Sequence, residues 1–122
     1  MFSTILTIRK RRDISREEFI DYYETKHTAL IGQLLPATIL QYRRNYVIDE
    51  APLSRRLAEG RGDDAHLPDI AVITEARFAT REDAEALVDA FLSDEVLAQV
   101  LADEANFIEP GGVRWRVVEV YE

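Results

Sequence analysis

From Phe2 to Arg9 the chain alternates, with Phe2, Thr4, Leu6 and Ile8 pointing one way and Ser3, Ile5, Thr7 and Arg9 the other. That two-residue period predicts a strand. Ser15-Arg16-Glu17-Glu18 follows as a capping box, in which the serine hydroxyl and the Glu18 carboxylate satisfy free backbone amides at a helix start. The helix it opens carries Phe19, Tyr23, His27, Leu30, Ile31 and Leu34 at spacings of mostly three and four, and should end near Leu35, because Pro36 disfavours helical geometry before it. A second strand is expected from Ile39 to Ile48, rich in β-branched and aromatic residues. Residues 49–68 are polar and punctuated by Pro52, Gly60, Gly62 and Pro68, which predicts a long loop with a short helical turn over 52–58. Loops of this length in small domains are often functional, and this one is a candidate lid. A third strand is expected from Ile70 to Phe78. Thr80-Arg81-Glu82-Asp83 then caps a helix carrying Ala84, Leu87, Val88, Phe91 and Leu92. Ser93-Asp94-Glu95 restarts it with Val96, Leu97, Val100 and Leu101, and Gly111-Gly112 should break the chain before a last strand, Val113 to Tyr121.

The order strand, helix, strand, strand, helix, strand predicts an α+β domain spanning 1–122. Its form is the ferredoxin-like βαββαβ plait, a four-stranded antiparallel sheet with its helices on one face. Alternation assigns Phe2, Leu6, Ile8, Leu40, Tyr42, Tyr46, Ile48, Ile70, Val72, Phe78, Val113, Trp115, Val117 and Tyr121 to the helix-covered face. The opposite face collects Thr7, Arg9, Gln41, Arg43, Asn45, Glu75, Arg77, Arg114 and Arg116 among Ile5, Ile39, Val47, Ile73, Val118 and Val120. Such a face can stay solvated. Closing it against an identical sheet would hide its apolar third and pair Arg with Glu, so a homodimer is expected.

Composition narrows the class. With 47% hydrophobic and 31% charged residues the chain is of globular type. A net charge of −8 argues against nucleic acid, which demands a basic surface. The one basic run, Arg9-Lys10-Arg11-Arg12, reads as a solvated strand-to-helix turn or as a local site for an anion. Apolar runs are too short for a membrane span, and the N-terminal residues lack the pattern of a signal peptide, so a cytoplasmic protein is expected. Without cysteine, disulfides, thiolate metal sites and a Cys nucleophile are excluded.

Two histidines remain as candidates for chemistry. His27 belongs to the inward stripe of the first helix, as a core histidine or as a general acid or base near neutral pH. Tyr22, Tyr23, Tyr42, Tyr46 and Trp115 are placed either to pack the core or to line a pocket with it. His66 with Asp63, Asp64 and Asp69 has no recognisable metal-ligand spacing, and aspartates in glycine-rich loops serve as turn formers, so no metal is expected. No glycine-rich phosphate loop and no Gly-x-Ser-x-Gly elbow is present.

The run Ile14-Ser15-Arg16-Glu17-Glu18-Phe19-Ile20-Asp21-Tyr22-Tyr23-Glu24-Thr25-Lys26-His27-Thr28-Ala29-Leu30 resembles the first helix of EthD-domain proteins. Gln41-Tyr42-Arg43-Arg44-Asn45 and Ala102-Asp103-Glu104-Ala105-Asn106-Phe107-Ile108 agree with the same family, so the likeness spans about Phe2 to Glu119. The resemblance implies a dimeric α/β barrel with a pocket between sheet and helices in each subunit, and no metal or organic cofactor. The family includes methylmuconolactone isomerase and fungal polyketide dehydratases. In the isomerase a helix histidine, a strand tyrosine and a loop histidine approach a lactone; by motif these correspond to His27, Tyr42 and, more loosely, His66. Asn45 has no counterpart in the isomerase.

Together these readings predict a cofactor-independent lyase or isomerase acting on a small cyclic carbonyl compound, a lactone or an aromatic or polyketide-derived molecule. His27 and Tyr42 would be its acid–base pair, with His66 a third catalytic group and Tyr23, Arg44, Asn45, Tyr46, Phe107 and Trp115 contacting substrate. Arg43 and Arg44 point to opposite faces, so at most one can meet a substrate carboxylate. The alternatives are a non-catalytic dimeric protein that binds a hydrophobic aromatic ligand or a redox partner, and a cofactor-free oxygenase.

Overall fold

The computed structural model describes residues 1–35, 38–48, 52–63 and 69–122. Its elements in order are β1 (Phe2–Lys10), α1 (Arg16–Tyr22), a π-helical turn (Tyr23–His27), α2 (Thr28–Leu34), β2 (Gln41–Tyr46), α3 (Pro52–Arg61), β3 (Val72–Phe78), α4 (Arg81–Leu92), α5 (Asp94–Glu104) and β4 (Ile108–Glu119). The strands form one antiparallel sheet in the order β2-β3-β1-β4. This is the ferredoxin-like plait.

Register turns the sequence alternation into two real faces. Leu6 pairs with Thr74 and Trp115, Ile8 with Val72 and Val113, and Tyr42 with Ala76. Paired residues share a face, so the inward set of each strand adds to one surface. Phe19 and Tyr23 pack there against Ile8, Val72 and Phe107, while Ala84 and Leu87 of α4 cover Ala76 and Phe78. Phe19 is 1% exposed and sits edge-on to Tyr23 and Tyr46, with ring centroids 6.1 and 6.3 Å away. Burial of one such ring contributes about 1.5–3 kcal/mol.

Both predicted caps form. Ser15 Oγ accepts from the Glu18 amide at 3.0 Å while a Glu18 carboxylate oxygen accepts from the Ser15 amide at 3.1 Å. Thr80 Oγ1 accepts from the Asp83 amide at 3.1 Å.

Four expectations need correction. The first helix is not uniformly α-helical: at Tyr23–His27 it widens by one residue, so the Thr28 amide donates to the Tyr23 carbonyl five positions back. Thr25 and Thr28 hydroxyls donate to the Asp21 and Glu24 carbonyls at 2.6 and 2.7 Å around this turn. The last strand begins at Ile108, not Val113, and runs through Gly111-Gly112. Strand pairing skips there, Ile8 opposing Val113 and Lys10 opposing Ile108, so the extra residues bulge out. Glycine is required at the bulge: Gly111 has φ +70°, and a Cβ on Gly112 would come within 2.7 Å of the Glu109 carbonyl. The helical turn expected over 52–58 extends to Arg61, but α3 buries no residue. Finally, Leu40, Ile48 and Tyr121 fall outside the strands and are exposed rather than helix-covered.

Candidate active site

The widened turn carries the site. Thin single π-turns cost hydrogen-bond geometry and concentrate where side chains are put to use. Here the turn stacks Tyr23 and His27 with ring centroids 5.1 Å apart and nearly perpendicular, both buried. His27 is 5% exposed, and its ring also leans on Phe107 at 5.0 Å.

His27 is not a histidine bonded to a backbone carbonyl. Its Nδ1 lies 2.8 Å from a carboxylate oxygen of Asp103, in the last turn of α5. The other Asp103 oxygen accepts from the Tyr22 hydroxyl at 2.7 Å, and Asn106 Nδ2 donates to that hydroxyl at 2.9 Å. A carboxylate on Nδ1 holds the proton there and leaves Nε2 as the basic nitrogen. Nε2 has no hydrogen-bond partner among the described residues. Burial pushes the His27 pKa down, and Asp103, by hydrogen bond and charge, opposes that shift without cancelling it. The ring is therefore neutral near pH 7, as a general base must be.

Beside His27 lies a cavity of about 30 Å³ between sheet and helices. Its walls include His27, Tyr23, Tyr42, Thr4, Glu104 and Trp115. The Tyr23 hydroxyl is 2.7 Å from Thr74 Oγ1 and 3.3 Å from the Tyr42 hydroxyl, which chains three hydroxyls across β2, β3 and the helix. Burial drives the Tyr23 and Tyr42 phenols upward, so both stay protonated and act as donors. Thr4 Oγ1 is fully buried on this wall with no hydrogen-bond partner among the described residues. A polar orphan of this kind calls for a bound water or ligand atom.

Glu104 adds a second acid to the wall. Burial, and then the neighbouring Asp103 charge, push its carboxyl up to about 7. It lines both the cavity and an open groove that includes Arg11, Glu109 and Gly111. The cavity wall therefore carries a neutral imidazole, His27, and a carboxyl that titrates near neutrality, Glu104.

Of the residues expected at the site, His27, Tyr23, Tyr42 and Trp115 meet at the cavity. Four do not line it. Arg44 reaches the helix-covered face, but its guanidinium grips Glu24 in two bonds of 2.7 and 2.8 Å and stacks 4.8 Å from the Tyr42 ring centre. Tyr46 donates to the same Glu24 at 2.6 Å. Arg44 and Tyr46 together hold the Glu24 carboxyl down at about 2. Asn45 lies on the opposite face of the sheet, its amide donating to the Ile73 carbonyl at 3.0 Å. Phe107 is fully buried behind His27, Tyr23 and Phe19 rather than at the cavity wall. His66 lies outside the described residues, as does the neighbouring Asp64; Asp63 pairs with Arg61 at 2.8 Å.

Asp103 and Glu104 were not singled out from the sequence as site residues. One signal was there: two carboxylates sit in the last turn of α5, where the helix dipole disfavours negative charge. Residues placed against that field need a compensating partner, and His27 is Asp103's.

An antiparallel four-stranded sheet with helices packed on it, enclosing a small cavity lined by histidine and tyrosine, defines a ferredoxin-like domain. The chain belongs to the EthD domain family, whose model matches residues 11–111. Solved structures share the fold at low identity. An ethyl tert-butyl ether D family protein from Bacillus halodurans is 13% identical, with 99% of this chain and 100% of that one covered and a TM-score of 0.61. A dimeric protein of unknown function and ferredoxin-like fold from Bacteroides fragilis is 13% identical, with 98% and 95% covered and a TM-score of 0.56. A protein described as a putative antibiotic biosynthesis monooxygenase from Nitrosomonas europaea is 15% identical, with both chains covered completely and a TM-score of 0.56. No curated protein matches this chain at a significant level. Among the described residues no helix is long and apolar enough to cross a membrane.

Proposed function

We propose that this protein is a cofactor-independent lyase or isomerase that moves a proton on a small cyclic carbonyl compound or lactone. The observation that carries the reading is the 2.8 Å pairing of His27 Nδ1 with Asp103 on the wall of a cavity that also holds the protonated Tyr42. In the proposed step Nε2 removes a proton from the carbon beside the carbonyl. The C–H electron pair passes into the carbonyl, and the oxygen that gains charge accepts a hydrogen bond from the Tyr42 hydroxyl. Asp103 stabilises the imidazolium that results, in the way a carboxylate supports a catalytic histidine elsewhere. Return of the proton to a different carbon is isomerisation; expulsion of a β-hydroxyl as water is dehydration. Glu104, with a carboxyl that titrates near neutrality, is placed to supply the proton for a departing group.

The test is proton–deuterium exchange, followed by NMR in D2O, across a panel of enolisable lactones and cyclic ketones. The wild-type chain should accelerate exchange beside the carbonyl of at least one member. His27→Asn should remove nearly all of that acceleration, and Tyr42→Phe should lower it about tenfold to a hundredfold, with circular dichroism unchanged. Exchange that persists at wild-type rate in both variants sinks the acid–base reading and leaves the binding-protein reading in its place.

We also propose that two copies pair through the open sheet face. Ile73 there is 37% exposed beside Arg43, Glu75 and Arg77, and Ser3 Oγ and Arg77 Nε are buried without hydrogen-bond partners among the described residues. Light scattering should give twice the chain mass, and Ile73→Glu should halve it.

A further inference from the structure

A cavity of about 30 Å³ admits one or two water molecules and no organic substrate. What borders it is more generous. Phe91 of α4 and Trp115 of β4 line the cavity, and the same two residues line an open groove of about 330 Å³ along with Val88, Leu92, Arg116 and Val117. The two rings meet edge to face, with centroids 5.1 Å apart and planes at 60°. They are both the outer wall of the cavity and the inner wall of the groove. An aromatic contact of this type is worth about 0.5–1.5 kcal/mol beyond its buried area, an amount that one entering ring can replace.

The groove's chemistry is specific. Leu92 and Val117 are 58% and 50% exposed, an apolar surface left open next to an aromatic pair. The one charged residue on its wall among the described residues is Arg116. It springs from the opposite face of the sheet, but β4 is an edge strand, and the guanidinium folds back to donate to the Trp115 carbonyl at 3.0 Å. It is paired with no carboxylate among the described residues. Small-molecule sites begin at about 300 Å³. A volume at that lower limit suits one or two fused rings, and a lone cation on an apolar wall suits a single carboxylate on them.

We propose that this groove is the outer half of the substrate site and that its ligand is a one- or two-ring aromatic carboxylate. The ring lies on Trp115, the carboxylate meets Arg116, and the reacting carbonyl passes the Phe91–Trp115 pair into the cavity. This last placement, unlike the groove itself, rests on the proton-transfer reading above.

Trp115 is the sole tryptophan of the chain, so its fluorescence reports occupancy of the groove directly. The full-length protein is titrated with 2-naphthoate and, separately, with its neutral analogue 2-naphthamide. Saturable quenching of Trp115 is expected with both. Arg116→Gln should weaken naphthoate about fivefold while leaving naphthamide within about twofold, the size expected for one exposed charge pair. Val117→Phe, which narrows the groove without touching the core, should weaken both probes. His27→Asn should change neither. Quenching that fails to saturate, or an Arg116→Gln effect equal for both probes, overturns the proposal. If binding behaves as stated while carbonyl exchange fails, the groove stands and the acid–base reading falls.

Discussion

Two carboxylates on the helices of this domain meet opposite fates. Glu24 is gripped by both nitrogens of an Arg44 fork and by the Tyr46 hydroxyl, and its carboxyl is held at about 2. Asp103 meets only neutral or conditionally charged partners, the His27 ring and the Tyr22 hydroxyl, and stands beside a Glu104 carboxyl raised to about 7. The first arrangement is complete: each Glu24 oxygen has a charged donor, and nothing in it titrates between pH 4 and 8. The second is deliberately short of positive charge. A guanidinium in place of His27 would satisfy Asp103 better but could not give up or accept a proton. The contrast separates an ion pair that braces β2 against the first helix from a contact that leaves an imidazole nitrogen without a partner among the described residues.

The largest break in this contrast should come from Asp103→Asn. Without the carboxylate the imidazole loses both its orientation and the charge that counters burial, so the His27 pKa should fall further, as read by NMR of the ring protons. Exchange activity on a responsive carbonyl compound should drop about a hundredfold. An unchanged His27 titration would remove Asp103 from the site.

Next in size is a pH effect at Glu104. Its folded pKa lies above its unfolded value, so its contribution to stability is full below about pH 4.5 and is lost as pH rises through about 7. Glu104→Gln should therefore stabilise the protein at pH 8, on the order of 1 kcal/mol once solvent screening is allowed for, and make little difference at pH 4.5. His27 acts at the other end. Its folded pKa is lowered, so the folded state loses stability as pH falls below about 6.5, where the unfolded chain takes up a proton more readily. Urea melts at pH 4.5, 6.5 and 8 test both signs.

The smallest effect belongs to the braced pair. Arg44→Met should cost about 1 kcal/mol in urea denaturation, the loss of one well-formed but half-exposed bidentate pair. Carbonyl exchange should stay within about threefold of wild type. A loss of exchange as large as that of Asp103→Asn would mean that Arg44 serves the chemistry after all.

Much of this was legible in the chain. Ser15 and Glu18, three apart before an apolar stripe, define a helix start by local hydrogen bonding alone, and the two-residue period of Phe2–Arg9 assigns strand faces that pairing then preserved. The same period placed Tyr42 and Trp115 inward and Arg43 outward, because a pleated strand allows no other alternation. Gly111-Gly112 reads as a stop in the sequence and is a bulge in the fold, since glycine marks both alike until the neighbouring strand is known. The π-turn at Tyr23–His27 has no sequence signature of its own.

By itself, then, the sequence determined the order and faces of the elements and brought His27 and Tyr42 to one side of the sheet, because caps, periodicity and pleat are local properties. The tertiary structure alone decided which histidine environment results. Asp103 lies 76 residues from His27 and reaches it only when α5 crosses the first helix, and burial, which lowers one pKa and raises another, exists only once the layers close.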